Sequence, residues 1–532
     1  MSELHYTPVD LIDTKLDVSS KSFFNRQKEL SKSKNIRKTD IEFRVKQLKK
    51  LYYAIKKNEA KLINAMKKDY HRAPQESMQL ELIPLYNDIL GMIKNLSKWA
   101  KPRHVCDMSP TYMLGKTYVE KIALGSVLVI APCNFPVLLS LTPVANAIAA
   151  GNSVILKPSE LTPATAMEMQ SLIEEAVFPH GLLQVVQGAI TETTQLIKSN
   201  KLNMIFYTGS PRVGSIVAQE AAKNLIPCVL ELGGKSPAFL TEHFNVSSST
   251  KLQTALKRIF FGAFSNGGQI CVTPDYLVVH ESIHDEVIKQ AKIVLNEMYP
   301  VFDSTLDYTY MVGSRGYDAI MKKIEASNGD KYIPESAKNL VSNTDSGQYC
   351  IPPTVVSGCS WNDSLMEEEN FGPVLAIYKY SNLDETLDMI IDKNDQPLVQ
   401  YIFSDSDHER QHILTRLRSG DCIIGDTIIH VAIKDTPFGG IGTSGYGNYG
   451  GIYGFNAFTH ERTVFKQPYW MDSLLFMRYH PYTQTKLKLV ETATEQKPWF
   501  DENGNDRWYY NKIFYLISLL GVAVAAIFNK YN

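Results

Sequence analysis

Five short apolar runs, separated by helix-length segments, set the rhythm of the chain beyond Leu124. Residues 126–131, 153–156, 183–186, 204–207 and 229–232 each read as a strand buried on both faces. The stretches between them, such as 163–177 and 212–225, have the length and polarity of crossover helices. Parallel strands need such crossovers, so the pattern predicts an α/β fold with a parallel sheet. Residues 236–430 repeat the style with further strands, including 276–280 and 373–378. At 532 residues the chain exceeds one compact core, and two or three domains are expected. Residues 437–454 are glycine-dense and are expected as a structured loop, because glycine is poorly suited to helix interiors.

The N-terminal part follows other rules. Residues 1–20 are polar and irregular and are expected to form a poorly ordered arm. Over 23–68 the spacing is helical, with Val45, Leu48, Leu51, Tyr52 and Ile55 on one face and many lysines opposite. Those lysines read as a solvated face, or as added attraction to anionic lipid. The N-terminus carries no apolar signal-peptide core, and Glu3, Asp10, Asp13 and Asp17 are uncharacteristic of a transit peptide, so it reads as untargeted. A formal net charge of −1 gives no electrostatic reason to expect a nucleic-acid partner. Seven widely spaced cysteines without a CxxC pair argue for a reducing compartment and against a disulfide framework or a zinc site.

Four segments carry the chemistry. Cys271 follows Gly267-Gly268-Gln269-Ile270, and the paired glycines allow close backbone packing around the sulfur; a buried, inert thiol is the alternative role. Glu231 ends an apolar strand just before Gly233-Gly234-Lys235. A carboxylate is costly to bury there, so it is a candidate general base, with a structural pairing to Lys235 as the competing role. Asn134 lies between Pro132 and Pro136, where its amide is a candidate donor to an oxyanion or a simple turn element. The fourth set reads as a nucleotide site without a GxGxxG motif. Thr208-Gly209-Ser210 ends a strand and Gly214 sits one turn into the next helix, a start suited to pyrophosphate. Lys157 and Glu160 follow another strand. Glu160 suits a ribose diol and repels a 2′-phosphate, which favours NAD over NADP.

Taken together, Asn134, Lys157 to Glu160, Thr208 to Ser210, Glu231 to Lys235 and Gly268 to Cys271 resemble the aldehyde dehydrogenase superfamily in order and spacing. Glu368-Glu369-Asn370-Phe371-Gly372-Pro373 and residues 437–445 complete the set, and the resemblance covers roughly 25–490. Residues 454–460, Arg478-Tyr479-His480-Pro481-Tyr482 and a hydrophobic tail are similar to the class 3, fatty-aldehyde branch. The resemblance implies Cys271 as nucleophile, Asn134 with the Cys271 N–H as oxyanion hole, and Glu231 as base. It places Lys157 and Glu160 at the adenosine ribose, Ser210 near the pyrophosphate, and Glu369 with Phe371 at the nicotinamide riboside. It further implies a Rossmann-like cofactor domain (23–109 and 131–235) after a flexible arm (1–22). A catalytic domain (236–422), a β bridging and oligomerisation element (110–130 with 423–465) that makes a homodimer, and a C-terminal extension (466–507) complete this organisation. Three positions depart from the family pattern. Cys133 stands where Trp is usual, Asn370 replaces an aliphatic residue, and Gly425-Asp426 replaces Asn-Asp. Cys133 is expected to make the site easier to oxidise.

At the C-terminus, residues 513–528 are sixteen consecutive uncharged, mostly apolar positions. With Trp508, Tyr509 and Tyr510 the span reaches roughly 31 Å at 1.5 Å per helical residue. Residues 508–530 are therefore expected to anchor the chain in membrane lipid, facing the cytosol, with a helix packed on a partner subunit as the alternative. A short tail flanked by Lys512 and Lys530 favours the mitochondrial outer membrane over endoplasmic reticulum or lipid droplets. The expected activity is NAD-dependent oxidation of medium- and long-chain aldehydes such as hexadecenal, with aromatic aldehydes as the alternative substrate. Glu231 argues against acyl transfer to coenzyme A, and the intact Cys271, Glu231 and Asn134 argue against a catalytically silent relative.

Overall fold

The computed structural model describes residues 4–106, 112, 114–302, 308–338, 348–473, 475–496 and 498–506. The chain divides into two compact units, Met1–Trp99 with Ala123–His460, and Ala100–Ile122 with Glu461–Asn532. The tail at 508–530 lies outside the described residues; among those described, no helix is long and apolar enough to cross a membrane.

The first unit is built on two sheets. The cofactor-type sheet runs, edge to edge, Gly445–Tyr446, Cys228–Leu232, Met204–Gly209, Ser126–Ile130, Ser153–Lys157 and Leu183–Val185. All neighbours are parallel except the short Gly445–Tyr446 strand, which pairs antiparallel with Leu230 and Glu231. The chain enters at the centre with Ser126–Ile130, winds out to Leu183–Val185, then returns to the other side with Met204–Gly209. This reversal is the topological switch at which α/β sheets bind ligands outside their carboxyl ends. Ser126–Ile130 and Ser153–Lys157 are buried at every residue, the reason both read as uninterrupted apolar runs. The second sheet orders Asp330–Tyr332, Thr354–Ser357, Val374–Tyr380, Tyr276–His280, Pro237–Leu240, Val399–Phe403 and Asp421–Ile424. Only its Asp330–Tyr332 edge is antiparallel.

Three expectations need correction. The N-terminal arm is helical from Val9 to Ser31, and Ile12 and Leu16 are fully buried in the core beside Leu128 and Ile155. Polar composition hid this helix, because only a narrow stripe of it meets the core. Within the span 110–130 expected as a bridge, Ser126–Ile130 is instead the central cofactor-sheet strand; the second unit's three-stranded sheet uses Arg103–Val105, Lys116–Ala123 and Thr459–Lys466. The glycine-dense loop ends early, since Gly451–Ala457 is helical with Gly454 inside it. A Cβ on Gly454 would lie 2.5 Å from the Asn146 side chain, so close helix packing holds a glycine there.

Ahead of both sheets, Ser77–Leu82 widens into a π-helical turn between Pro74–Glu76 and the helix Ile83–Trp99. Glu81 at its end is fully buried and ion-paired with the equally buried Arg72. Its other oxygen accepts the backbone N–H groups of Val137 at 2.8 Å and Leu138 at 2.7 Å, fixing the chain just after Asn134. Arg72 also donates to the Tyr70 hydroxyl at 3.0 Å and lies 4.8 Å from the Phe135 ring centre. Removing one partner of such a pair strands the other charge in the interior. Arg72→Met is expected to lose about 3–5 kcal/mol of stability by denaturant titration. A loss below about 1 kcal/mol, the range of an exposed pair, would contradict this reading.

Candidate active site

The carboxyl ends of the parallel strands bring the sequence-predicted residues together. Asn134 follows the central strand, Lys157 and Glu160 its neighbour on one side, Thr208 to Ser210 its neighbour on the other, and Glu231 lies one strand further out. Lys157 is buried and ion-paired with the more exposed Glu160, which sets an ammonium and a carboxylate side by side at the carboxyl end of its strand. Ser210 caps the helix Pro211–Lys223, and its hydroxyl accepts the Val213 N–H at 3.5 Å. A Cβ on Gly214 would lie 2.6 Å from Leu232, so that helix packs tightly on the sheet. A helix N-terminus at the switch point, with this charged pair beside it, fits a dinucleotide. Thr208, grouped with the cofactor residues, also faces the reacting groups. Its hydroxyl is buried without a hydrogen-bond partner, and it lines the same cavity as Cys271 and Glu231.

Cys271 is delivered by a tightly folded turn. Asn266, Gly267 and Gly268 all take left-handed backbone, at φ of 55°, 61° and 69°. A Cβ on Gly268 would stand 2.1 Å from the Gly372 carbonyl oxygen, so glycine is obligatory at this contact. The Asn266 amide donates to the carbonyls of Asn134 at 3.0 Å and Gln269 at 3.1 Å, and its N–H donates to Glu76 at 3.0 Å. Asn134 in turn donates to the Gln269 carbonyl at 2.9 Å. An amide NH2 carries two hydrogens, so this bond orients the group and leaves it a second donor. Beyond the sulfur, the fully buried Tyr401 hydroxyl donates to the Val272 carbonyl. Burial, then Glu369 and Glu231, push the Cys271 thiol up to about 12.

Glu231 is buried, and neither carboxylate oxygen has a hydrogen-bond partner. Burial, with Asp421 adding to it, raises its pKa well above the usual carboxylate range. The competing structural role does not hold. Lys235 instead bonds Asp275 at 2.5 Å and the carbonyls of Leu365 at 2.7 Å and Glu368 at 3.1 Å. Asp275 also accepts the Asn370 N–H at 3.1 Å, and the Asn370 amide donates to Leu365 at 3.1 Å, so the unusual asparagine braces its own loop. That loop carries Glu369, raised to about 8 by burial and Asp275, and Phe371 in left-handed backbone at φ 52°. A Cβ on Gly233 would lie 2.1 Å from the Glu369 carboxylate, which sets this loop against the end of the Glu231 strand.

A cavity of about 400 Å³ joins Cys271, Glu231 and Thr208 to walls that include Leu80, Met92, Trp99, Phe135, Leu139 and Phe438. A nucleophile and a base therefore face one largely apolar space. Burial and then Glu160 push the Cys133 thiol up to about 11, which disfavours the oxidation-prone thiolate. The sequence reading missed Glu76, Glu81 and Asn266. Only Asn266 left a local signal, since asparagine beside paired glycines tolerates left-handed backbone.

With its thiol raised this far, cofactor-free Cys271 is mostly protonated at neutral pH. Its alkylation rate by iodoacetamide is expected to climb roughly tenfold per pH unit between pH 7 and 10. A rate already level by pH 8 would contradict the raised thiol.

The aldehyde dehydrogenase family profile matches residues 26–464. The chain is 58% identical over 514 residues to the fatty aldehyde dehydrogenase HFD1 of Saccharomyces cerevisiae, covering 96% of each chain. It is 37% identical to the beta-apo-4'-carotenal oxygenase of Neurospora crassa, over 94% of this chain and 89% of that protein. Among solved structures, the substrate-bound state of Staphylococcus aureus AldH superposes with a TM-score of 0.82 at 35% identity, covering 91% of this chain and 99% of that one. With a cysteine and a glutamate on one cavity at the switch end of its sheet, this chain belongs to the aldehyde dehydrogenase family.

Proposed function

We propose that this enzyme oxidises medium- and long-chain aliphatic aldehydes, such as hexadecenal, to carboxylic acids with NAD. The observation that carries the reading is the shared apolar cavity of Cys271 and Glu231. Two relatives whose names denote a fatty aldehyde and a carotenal substrate support an extended apolar one.

The reaction uses these residues in order. The Cys271 thiolate adds to the aldehyde carbon, and the carbonyl oxygen becomes an alkoxide held by the Asn134 amide and the Cys271 N–H. A bound oxidised nicotinamide would supply the hydride acceptor for that carbon. A thioester on Cys271 remains. Glu231 takes a proton from water, the hydroxyl adds to the thioester carbon, and the C–S bond breaks to release acid and restore the thiol. A base with a raised pKa suits this step, because it binds the proton firmly once taken. On the protein side, Lys157 and Glu160 would hold the adenosine ribose, Ser210 the pyrophosphate, and Glu369 with Phe371 the nicotinamide riboside. The Glu160 carboxylate disfavours a 2′-phosphate, which supports NAD over NADP.

We further propose that residues 508–530 anchor the chain in membrane lipid, with the mitochondrial outer membrane as its site, and that the enzyme is a homodimer. An anchor suits substrates too apolar to cross water. Deleting the chain from Trp508 onward is expected to move the protein from the membrane pellet to the supernatant, with purified turnover retained. A fluorescent fusion seen only on endoplasmic reticulum or lipid droplets would overturn the mitochondrial placement.

NADH formation with hexadecenal tests the activity. Wild type is expected to turn over, and Cys271→Ser to lose at least about a thousandfold in kcat while still binding NAD by titration. A strong preference for aromatic aldehydes would overturn the aliphatic substrate, and equal rates in the variant would overturn the nucleophile.

A further inference from the structure

The helix Ile36–Lys57 buries one face and presents the other as a row of cations. Leu48, Leu51 and Ile55 turn inward and are buried. Lys46, Lys49, Lys50, Tyr53 and Lys57 recur at three- and four-residue spacing, which sets them on one side of the helix. With the half-buried Val45 and the buried Ala54 they line an open groove of about 920 Å³.

Several other surface lysines sit beside an acid three residues away, as in Lys32–Glu29, Lys223–Glu220, Lys289–Glu286 and Lys338–Glu335. Among the described residues, Lys46, Lys49, Lys50 and Lys57 have no carboxylate partner. The acids on the groove are Glu42 and Glu175, and each faces a different lysine, Lys38 at 3.9 Å and Lys61 at 3.6 Å. Lys50 donates to the Val177 carbonyl at 3.0 Å, which holds its ammonium in place without neutralising it. The groove therefore presents four positive charges in excess.

Solvation alone accounts for the charges but not for their company. Tyr53 stands 61% exposed among the lysines, and an aromatic ring with a polar tip suits a membrane interface. Lysine stems lie favourably along apolar surface such as Val45 and Ala54 while their ammonium groups reach outward. An ammonium gives hydrogen bonds and accepts none, so phosphate oxygens are its complement. From Lys46 to Lys57 the row runs roughly 16 Å at 1.5 Å per residue, too long for a single phosphate and matched by an extended array of them.

We propose that this lysine face of the first unit rests on an anionic phospholipid leaflet, so that lipid charge helps set how the enzyme meets a membrane. The contact is electrostatic; ionic strength weakens it, and neutral lipid does not support it. It goes beyond the anchor proposed for residues 508–530 and is read by a different measurement.

The test places the full chain on vesicles of phosphatidylcholine alone and of phosphatidylcholine with about one quarter phosphatidylserine. Acetylation is followed lysine by lysine with mass spectrometry, with the exposed Lys289 and Lys338 as internal reference. On anionic vesicles, labelling of Lys46, Lys49, Lys50 and Lys57 is expected to slow at least about fivefold against the reference, and about 0.5 M salt to restore it. In Lys46→Glu/Lys49→Glu/Lys57→Glu the protection of Lys50 is expected to disappear, while turnover of a short, water-soluble aldehyde stays unchanged and shows the variant folded. Labelling rates within about twofold on the two kinds of vesicle overturn the proposal. So does equal protection by soluble tripolyphosphate with neutral vesicles, which reassigns the groove to a free polyanion. Failure of the anchor shows separately, as protein left in the supernatant with neutral vesicles, and labelling on anionic vesicles still decides the lysine face.

Discussion

The active site hangs from two carboxylates, Glu76 just before a widened helical turn and Glu81 within it. Glu76 accepts the Asn266 N–H and the Thr309 hydroxyl, while Glu81 accepts Arg72 and the N–H groups of Val137 and Leu138. The two glutamates are five residues apart, a separation that an ordinary α-helix places on different faces. The π-helical turn over Ser77–Leu82 changes that relation, so the cysteine loop and the asparagine loop are tied to one rigid element. Because Arg72 and Glu81 are both fully buried, the tie acts in a medium of low polarisability, where charge-assisted hydrogen bonds hold geometry firmly. The consequence for chemistry is preorganisation. Asn134 and Cys271 keep their mutual orientation before any substrate arrives.

Much of this was legible in the sequence, for definite reasons. Strands such as Ser126–Ile130 and Ser153–Lys157 are buried on both sides, and a continuous apolar run between crossover segments announces that environment directly. Cys271, Glu231 and Asn134 were legible because each sits in an unusual local setting of glycine, apolar strand end or proline. Residues acting at a distance left no such mark. Glu81 looks like any helical glutamate until its partners Arg72, Val137 and Leu138 are known, and those partners are nine to fifty-seven positions away. The helix Val9–Ser31 was hidden likewise, since a narrow buried stripe at Ile12 and Leu16 is easily lost among polar neighbours.

Charge placement separates structural from reactive groups. Lys235 satisfies its ammonium with Asp275 and two carbonyls, and Asp275 in turn holds Asn370, which gives a closed network with a bracing role. Glu231, four residues before Lys235, is as deeply buried and has no such partners. Burial without hydrogen bonds is costly, and its occurrence beside a nucleophile on a shared cavity is where function outweighs stability.

The contact between Gly268 and Gly372 has a further consequence. Here the turn that presents the nucleophile touches, backbone to backbone, the loop bearing Glu369 and Phe371, with no side chain between them to absorb motion. Such a joint acts as a gear rather than a cushion. A displacement of one loop must be answered by the other, so the posture of the thiol and the posture of the Glu369–Phe371 strap form a single mechanical coordinate.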